Sequence, residues 1–206
     1  LIAAILAVST AAPLAKFASD VHPIAIGFWR TIVVGLLLGI SVRRPQLQFS
    51  RKYWLLAAVA GLFLSLHFWA WFASLRYTSA LRSTTLVCLN PIWAGILEGA
   101  LLKNSPSRSF WIGVLVALLG VTLMTTGDLS EGALIGDVLA LLGGLLGAAY
   151  LLVGRVARQK VDINAYGAII CLICALVMSG FALTMNVSFT GHANASWVAL
   201  LLMALG

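Results

Sequence analysis

The chain has 206 residues, of which 62% are hydrophobic and 9% charged, and its 13 basic and 6 acidic side chains leave a net charge of +7. Soluble domains carry about 25% charged residues, so too few charges are present to coat a water-facing surface, which excludes a soluble globular domain, a disordered tail and a nucleic-acid binder. The mean hydropathy of +1.05 makes lipid the solvent, and the positive charge is then first a signal of topology.

A helical span needs about 20 apolar residues. Apolar runs separated by polar breaks predict eight segments, at 1–19, 23–42, 53–75, 80–102, 109–127, 133–154, 163–186 and 195–206. Both chain ends fall inside apolar runs, so the sequence reads as a fragment with an incomplete first and last span. No basic segment precedes residues 1–15, which read as a cut span rather than a signal peptide. The runs lack the period-2 pattern of a barrel, and lipid leaves the backbone no other choice than helix. Turn chemistry marks the breaks: His22-Pro23, Arg44-Pro45, Asn104-Ser105-Pro106, Gly127-Asp128 and Asp162-Ile163-Asn164. The fold class is therefore all-α and integral to the membrane, a polytopic helical bundle.

Charge alternates from loop to loop. The second, fourth and sixth loops hold Arg43, Arg44, Arg51, Lys52, Lys103, Arg108, Arg155, Arg158 and Lys160. The odd-numbered loops hold Arg76 and Arg82 as their basic residues, with Asp20, Asp128, Glu131 and Asp137. Nine against two places the even loops and the N-terminus in the cytoplasm, as expected of a multi-pass protein of a bacterial inner membrane.

Polar groups inside spans are expensive and each needs a reason. Lys16, near the outer end of the first span, either snorkels to the headgroups or faces a cavity as a cation. Arg30 lies about seven residues into the second span, roughly 10 Å deep at 1.5 Å per residue. At that depth it lines a transport path or contacts helix carbonyls or Glu98. His67 and Trp71 are four residues apart on the third span, with Phe63 and Ser74 on the same face. They form either a cavity wall or a packed histidine beside an interfacial tryptophan. In a cavity, Trp71 could stack on a cation or an apolar solute, and His67 could carry a coupling proton.

On the fourth span Asn90, Ala94 and Glu98 share one face. Pro91 removes a helical donor and clashes with the preceding turn, which kinks the helix and frees carbonyls. A break at mid-depth is the best sequence pointer to a transporter site, and a simple packing kink is the plain alternative. Glu98 is read as the acid buried in a span, either a proton or cation carrier or a partner of Lys103. Tyr150 on the sixth span lines the path or packs at the interface. Gly35/Gly39, Gly95/Gly99 and Gly143/Gly147 each form a GxxxG that permits close helix approach. Cys88, Cys171 and Cys174 lie in apolar runs, so no disulfide framework is expected. The C-x-x-C of Cys171 and Cys174 reads as core filler rather than a redox or metal site. No cofactor or metal is expected.

Leu-Ala-Lys-Phe-Ala at 14–18 matches Val-Gly-Arg-Val-Ala at 153–157, an offset of 139 residues or about five spans. A five-span period turns the second copy upside down in the bilayer, a recurrent device of secondary transporters. A complete second copy would bring the parent chain to ten helices.

Phe72-Ala-Ser-Leu-Arg-Tyr-Thr-Ser-Ala80 resembles the ALKYTSA signature at the third-to-fourth helix junction of EamA-type transporters, in the drug/metabolite transporter superfamily. Leu89-Asn-Pro-Ile-Trp93 resembles the NPIW break of the family's fourth helix. Residues 113–124 are similar to its fifth helix, and Gly136-Asp137-Val-Leu-Ala-Leu141 to the start of its second repeat. The family usually ends its fourth helix in Gly-Glu, where Lys103 and Asn104 stand here, so the role of that glutamate does not carry over. The resemblance implies a first EamA-like five-helix repeat at 1–127 and part of a second at 133–206. It also implies ten helices with a central path, cytoplasmic termini, and transport of small metabolites such as amino acids or drugs.

The sequence thus points to a secondary active transporter working by alternating access, with the lipid bilayer, a small-molecule substrate and a coupling proton or ion as partners. Its candidate substrate-binding residues are Lys16, Arg30, His67, Trp71, Asn90, Pro91, Glu98 and Tyr150. A non-transporting membrane receptor or assembly subunit is the alternative. An integral-membrane enzyme comes last, because the histidines at 22, 67 and 192 are scattered and Asp137 has no partner aspartate in another span.

Overall fold

The computed structural model describes residues 2–42, 50–103, 105–125, 133–157 and 162–205. Among these, the regular structure is helical: α1 (Ile2–Phe17), α2 (Pro23–Ile40), α3 (Arg51–Ser74), α4 (Ala80–Val87), α5 (Asn90–Leu102), α6 (Arg108–Thr125), α7 (Ala133–Ala157), α8 (Ile163–Thr184) and α9 (Asn194–Leu205). Each apolar run became a helix, except that the fourth is divided into α4 and α5. The basic residues Arg43, Arg44, Arg158 and Lys160, the acids Asp128 and Glu131, and Asn104 lie outside the described residues.

Among the described residues five segments are long and apolar enough to cross a membrane: Pro23–Ile40, Arg51–Ser74, Ala80–Leu102, Ala133–Arg155 and Ile163–Thr184. Arg108–Leu123 and Asn194–Ala204 are shorter apolar helices. On α6, Leu115, Val116, Leu119 and Leu123 are 62%, 64%, 66% and 79% exposed. Such a stripe is tolerable only where the surrounding medium is itself apolar.

Local chemistry sets the helix starts. His22 caps α2: its Nδ1 accepts from the Ile24 N–H at 3.3 Å, and Pro23 follows in the first turn. Burial, and then the nearby Arg76 charge, hold the His22 imidazole below its ordinary pKa and favour that accepting form. Ser79 caps α4 through the Arg82 N–H at 3.2 Å. Asp162 caps α8 through the N–H groups of Asn164 and Ala165 at 3.0 and 2.9 Å. The segment 72–80 is the tight corner between α3 and α4. Its Ser74 hydroxyl is 2.5 Å from that of Ser83, both buried, and the Arg76 guanidinium donates to the Val21 carbonyl at 2.6 Å.

The kink expected at Pro91 is a full break at Cys88-Leu89. Pro91 removes the donor that the Val87 carbonyl would use in a continuous helix, and the chain restarts at Asn90. Gly144 of α7 closes on this break, where a methyl would stand 3.1 Å from the Val87 oxygen.

Packing brings α2 against α8, α3 against α7 and α8, and α9 against α1 and α2, with α4 and α5 against α7. Glycine makes these approaches possible. A methyl at Gly61 would stand 2.6 Å from Ile173 Cγ2, and one at Gly35 would stand 3.2 Å from Cys171 Cβ. Gly39 has nothing within 4 Å, so that GxxxG uses one of its two glycines.

Two groups of polar contacts mark opposite ends of the bundle. At one end Asp20 receives the Ser196 hydroxyl at 2.5 Å and the Ala193 N–H at 3.1 Å. There Arg82 also holds Asp137 in a bidentate pair at 2.8 and 2.5 Å. Arg82 and Asp137, expected in loops, lie in the first turn of α4 and just past the first turn of α7. At the other end Arg155 of α7 pairs with Glu98 of α5.

Candidate functional site

A cavity of about 630 Å³ lies where α2, α3, α5, α7, α8 and α9 converge. From α2 and its C-terminal cap the wall takes Arg30, Val34, Leu37 and Ser41, spaced by four, three and four residues along one face. Leu64, His67 and Phe68 contribute from α3, Asn90 from the start of α5, Gly147 and Tyr150 from α7, Cys171 from α8 and Met203 from α9. Most of this lining is apolar, with a few convergent polar groups, as small-molecule pockets are.

Arg30 is half-buried at the wall, and its guanidinium carbon stands 5.5 Å from the centre of the Phe68 ring. Its Nη1 is buried without a hydrogen-bond partner. The expected contact with Glu98 is not made, because Glu98 pairs with Arg155, which also takes the place expected for Lys103.

His67 is seated by α7. Its Nδ1 lies 2.7 Å from the Gly143 carbonyl. A carbonyl only accepts, so Nδ1 carries a proton, and in the neutral form of the ring Nε2 keeps an accepting lone pair. A methyl at Gly147 would stand 2.9 Å from His67 Nδ1. The Gly143/Gly147 motif therefore forms a socket for the imidazole as well as a close helix contact.

Of the eight sequence-predicted site residues, Arg30, His67, Asn90 and Tyr150 line this one cavity. The other four lie elsewhere. Trp71 is buried behind His67, ring centres 5.9 Å apart, and stacks on Phe72 at 5.1 Å. Its place is the core, in the buried cluster that also holds Ala140 and Val87. Pro91 faces a separate groove of about 300 Å³ beside Phe110 of α6. Lys16 is exposed beside a small recess with Ser19 and Arg76. Glu98 is spoken for by Arg155 at the bundle end.

Several contributors escaped the sequence reading. Phe68 lies next to the residue it flanks, and Val34, Leu37 and Ser41 repeat the helical spacing of Arg30, a signal that was present. Cys171, read as core filler, lines the cavity, while Cys174 is fully buried; both thiols are free. Asp20 gave no signal, since its partners are 173 and 176 residues away. Those contacts, the Ser196 hydroxyl first and the Ala193 N–H second, hold its carboxyl below the usual range. Trp29 closes the same end, donating to the Phe189 carbonyl at 2.9 Å and meeting Trp197 edge-on at 5.2 Å. Among the described residues no cluster of three or more His, Cys, Asp or Glu is arranged to hold a metal.

Residues 1–126 match the model of the EamA-like transporter family. The chain is 26% identical over 171 residues to a protein named uncharacterized transporter YwfM of Bacillus subtilis (strain 168), covering 81% of this chain and 57% of that one. It is 28% identical over 176 residues to an uncharacterized transporter of Archaeoglobus fulgidus, covering 79% and 60%. The chain thus spans somewhat over half the length of these relatives. A solved crystal structure superposes with a TM-score of 0.73 at 18% identity, over 98% of this chain and 71% of that one, a likeness of fold.

Proposed function

The chain belongs to the EamA-like transporter family, and from that premise we propose that it forms most of a secondary transporter that carries a small organic solute, amino acid or drug-like, by alternating access. It is an integral, multi-pass membrane protein. The observation that carries the reading is the central cavity. Its walls come from both halves of the sequence, and it gathers Arg30, His67, Asn90 and Tyr150 at the break between α4 and α5. Irregular backbone within the membrane is tolerated where it lines a cavity or is buried in protein, and discontinuous helices at repeat interfaces hold transporter sites.

Residues 1–127 and 133–206 are read as the first five-helix repeat and part of an inverted second. Exchanging each span with the one five positions later turns the pair α3–α7 into α9–α1 and α3–α8 into α9–α2, and maps α2–α8 onto itself. All of these pairs pack, which supports a two-fold relation between the halves.

The bundle end carrying Arg51, Lys52, Lys103, Arg108 and Arg155 faces the cytoplasm of a bacterial inner membrane in this reading, as the loop charges favour. The opposite end, clamped by Asp20–Ser196 and Trp29–Phe189, is the outer gate, here closed. Alternating access requires those contacts to break while the opposite end, where Glu98 already pairs with Arg155, closes over the cavity. Coupling to a proton or ion gradient would drive the cycle, with His67 as the candidate proton carrier in the cavity.

The test is uptake or efflux of labelled amino acids and drug-like compounds in proteoliposomes holding the full natural chain. Flux of at least one compound is expected, reduced at least tenfold by Arg30→Gln or His67→Ala. Absence of flux for every compound, with folded protein in the vesicles, would reject the reading.

A further inference from the structure

We propose that the central cavity takes a solute with one carboxylate and no positive charge, paired with Arg30, an assignment that rests on the transporter reading above. Among the described residues no hydrogen bond or ion pair holds the Arg30 guanidinium, and its Nη1 is buried without a partner. The described acids are occupied elsewhere: Glu98 by Arg155, Asp137 by Arg82, Asp20 by Ser196 and Ala193, Asp162 by the first turn of α8. A cation set this deep in hydrocarbon is stable only against an opposite charge or water. Among the described residues the chain supplies no such charge, and a bound carboxylate would supply it.

The rest of the cavity narrows the class. Among the described residues no carboxylate lines it, so the ammonium of a zwitterion or an amine would enter without a counter-charge and lose its hydration uncompensated. A single guanidinium matches a single carboxylate in bidentate geometry. His67 spends its Nδ1–H on the Gly143 carbonyl, which leaves the unpartnered Arg30 guanidinium as the donor for an anion's oxygens. Leu37, Leu64, Phe68 and Met203 provide an apolar seat for an aryl or alkyl body. The shared chemistry is an oxyanion on an apolar body, which an anionic lipid headgroup also offers.

Four probes on one phenyl ring separate the charges: phenylacetate, phenylalanine, phenylacetamide and phenethylamine. Binding to the full natural chain is measured by calorimetry in phosphatidylcholine nanodiscs, and flux in vesicles of the same lipid. Phenylacetate is expected to bind at least tenfold more tightly than the other three. Arg30→Gln should lose at least tenfold for phenylacetate alone, and Arg30→Lys should keep part of the preference. If Arg30→Gln fails to fold, the wild-type ranking and Arg30→Lys decide. Equal binding of phenylalanine, the amide or the amine overturns the proposal, as does failure of all four to bind. If added phosphatidylglycerol stabilises the wild type through Arg30 and phenylacetate does not bind, the oxyanion is a lipid and the solute assignment falls. Flux of amine or zwitterion without carboxylate overturns the charge class and leaves the transporter reading standing. Tight carboxylate binding with no flux of any compound leaves the site standing and rejects the transporter.

Discussion

His67 sits in the cavity wall because two glycines of another helix leave room for its ring. That dependence is sharp enough to test. Gly147→Ala places a methyl 2.9 Å from His67 Nδ1, so the imidazole must leave its 2.7 Å contact with the Gly143 carbonyl. The buried carbonyl keeps its helical donor, so the stability loss should be modest, about 1–3 kcal/mol for overpacking. Transport should fall much further, at least tenfold. Gly39→Ala, on a helix face with nothing within 4 Å, should leave transport unchanged and stability unchanged or slightly raised, and thermal melts beside flux assays compare the two. Equal effects of the two substitutions would remove the socket from the account. The sequence displayed Gly143/Gly147 as a packing motif and His67 as a polar residue in a span. That one receives the other is a property of two helices 76 residues apart, and no periodicity within either records it.

At the scale of the element, helix limits followed from turn chemistry, and the fourth run shows both the reach and the limit of such reading. Pro91 announced a disruption, since it denies the Val87 carbonyl its donor. Whether the helix bends or breaks depends on what meets that carbonyl, and Gly144 of α7 is close enough to cover it. The same run ends at Lys103, whose φ of 53° is left-handed and whose N–H reaches back to the Glu98 carbonyl. Side chains with a Cβ are strained there, and glycine is favoured at a helix end. Lys103→Gly should therefore stabilise the protein by up to about 1 kcal/mol, read as a rise in Tm with no change in solute affinity. A lower Tm would mean that the lysine ammonium contributes more than its backbone costs.

Over the whole molecule, contacts at the two ends tie distant parts of the chain together. Arg82 and Asp137 lie 55 residues apart, both largely buried, and meet in a bidentate pair. Either residue alone would be a stranded charge. Arg82→Ala and Asp137→Ala should each cost about 1–3 kcal/mol, and the double variant should cost clearly less than their sum. The charge-swapped pair should recover part of the loss. Thermal melts of the four proteins measure the coupling, and strict additivity would show that the pair contributes nothing as a pair. The clamp of Asp20 on Ser196 joins the first loop to α9 in the same manner, so this end of the bundle is held by residues that a linear scan assigns to separate loops.

Composition alone determined that the protein lives in lipid, because 9% charged residues cannot solvate a surface. The period and length of the apolar runs determined the helices, because a backbone in hydrocarbon has to satisfy itself within each segment. Arg30, His67, Asn90 and Tyr150 were singled out for the cost of polar groups at depth, a property of each residue on its own. Which of the costly residues share one cavity was decided only by tertiary packing. Trp71 follows His67 by a single turn yet points into core, Glu98 shares a helix face with Asn90 yet finds Arg155, and Pro91 turns toward α6. Burial cost is written residue by residue in the sequence. Partnership depends on which helix faces close on one another, and here that is set by glycines whose opposite surfaces lie far away along the chain.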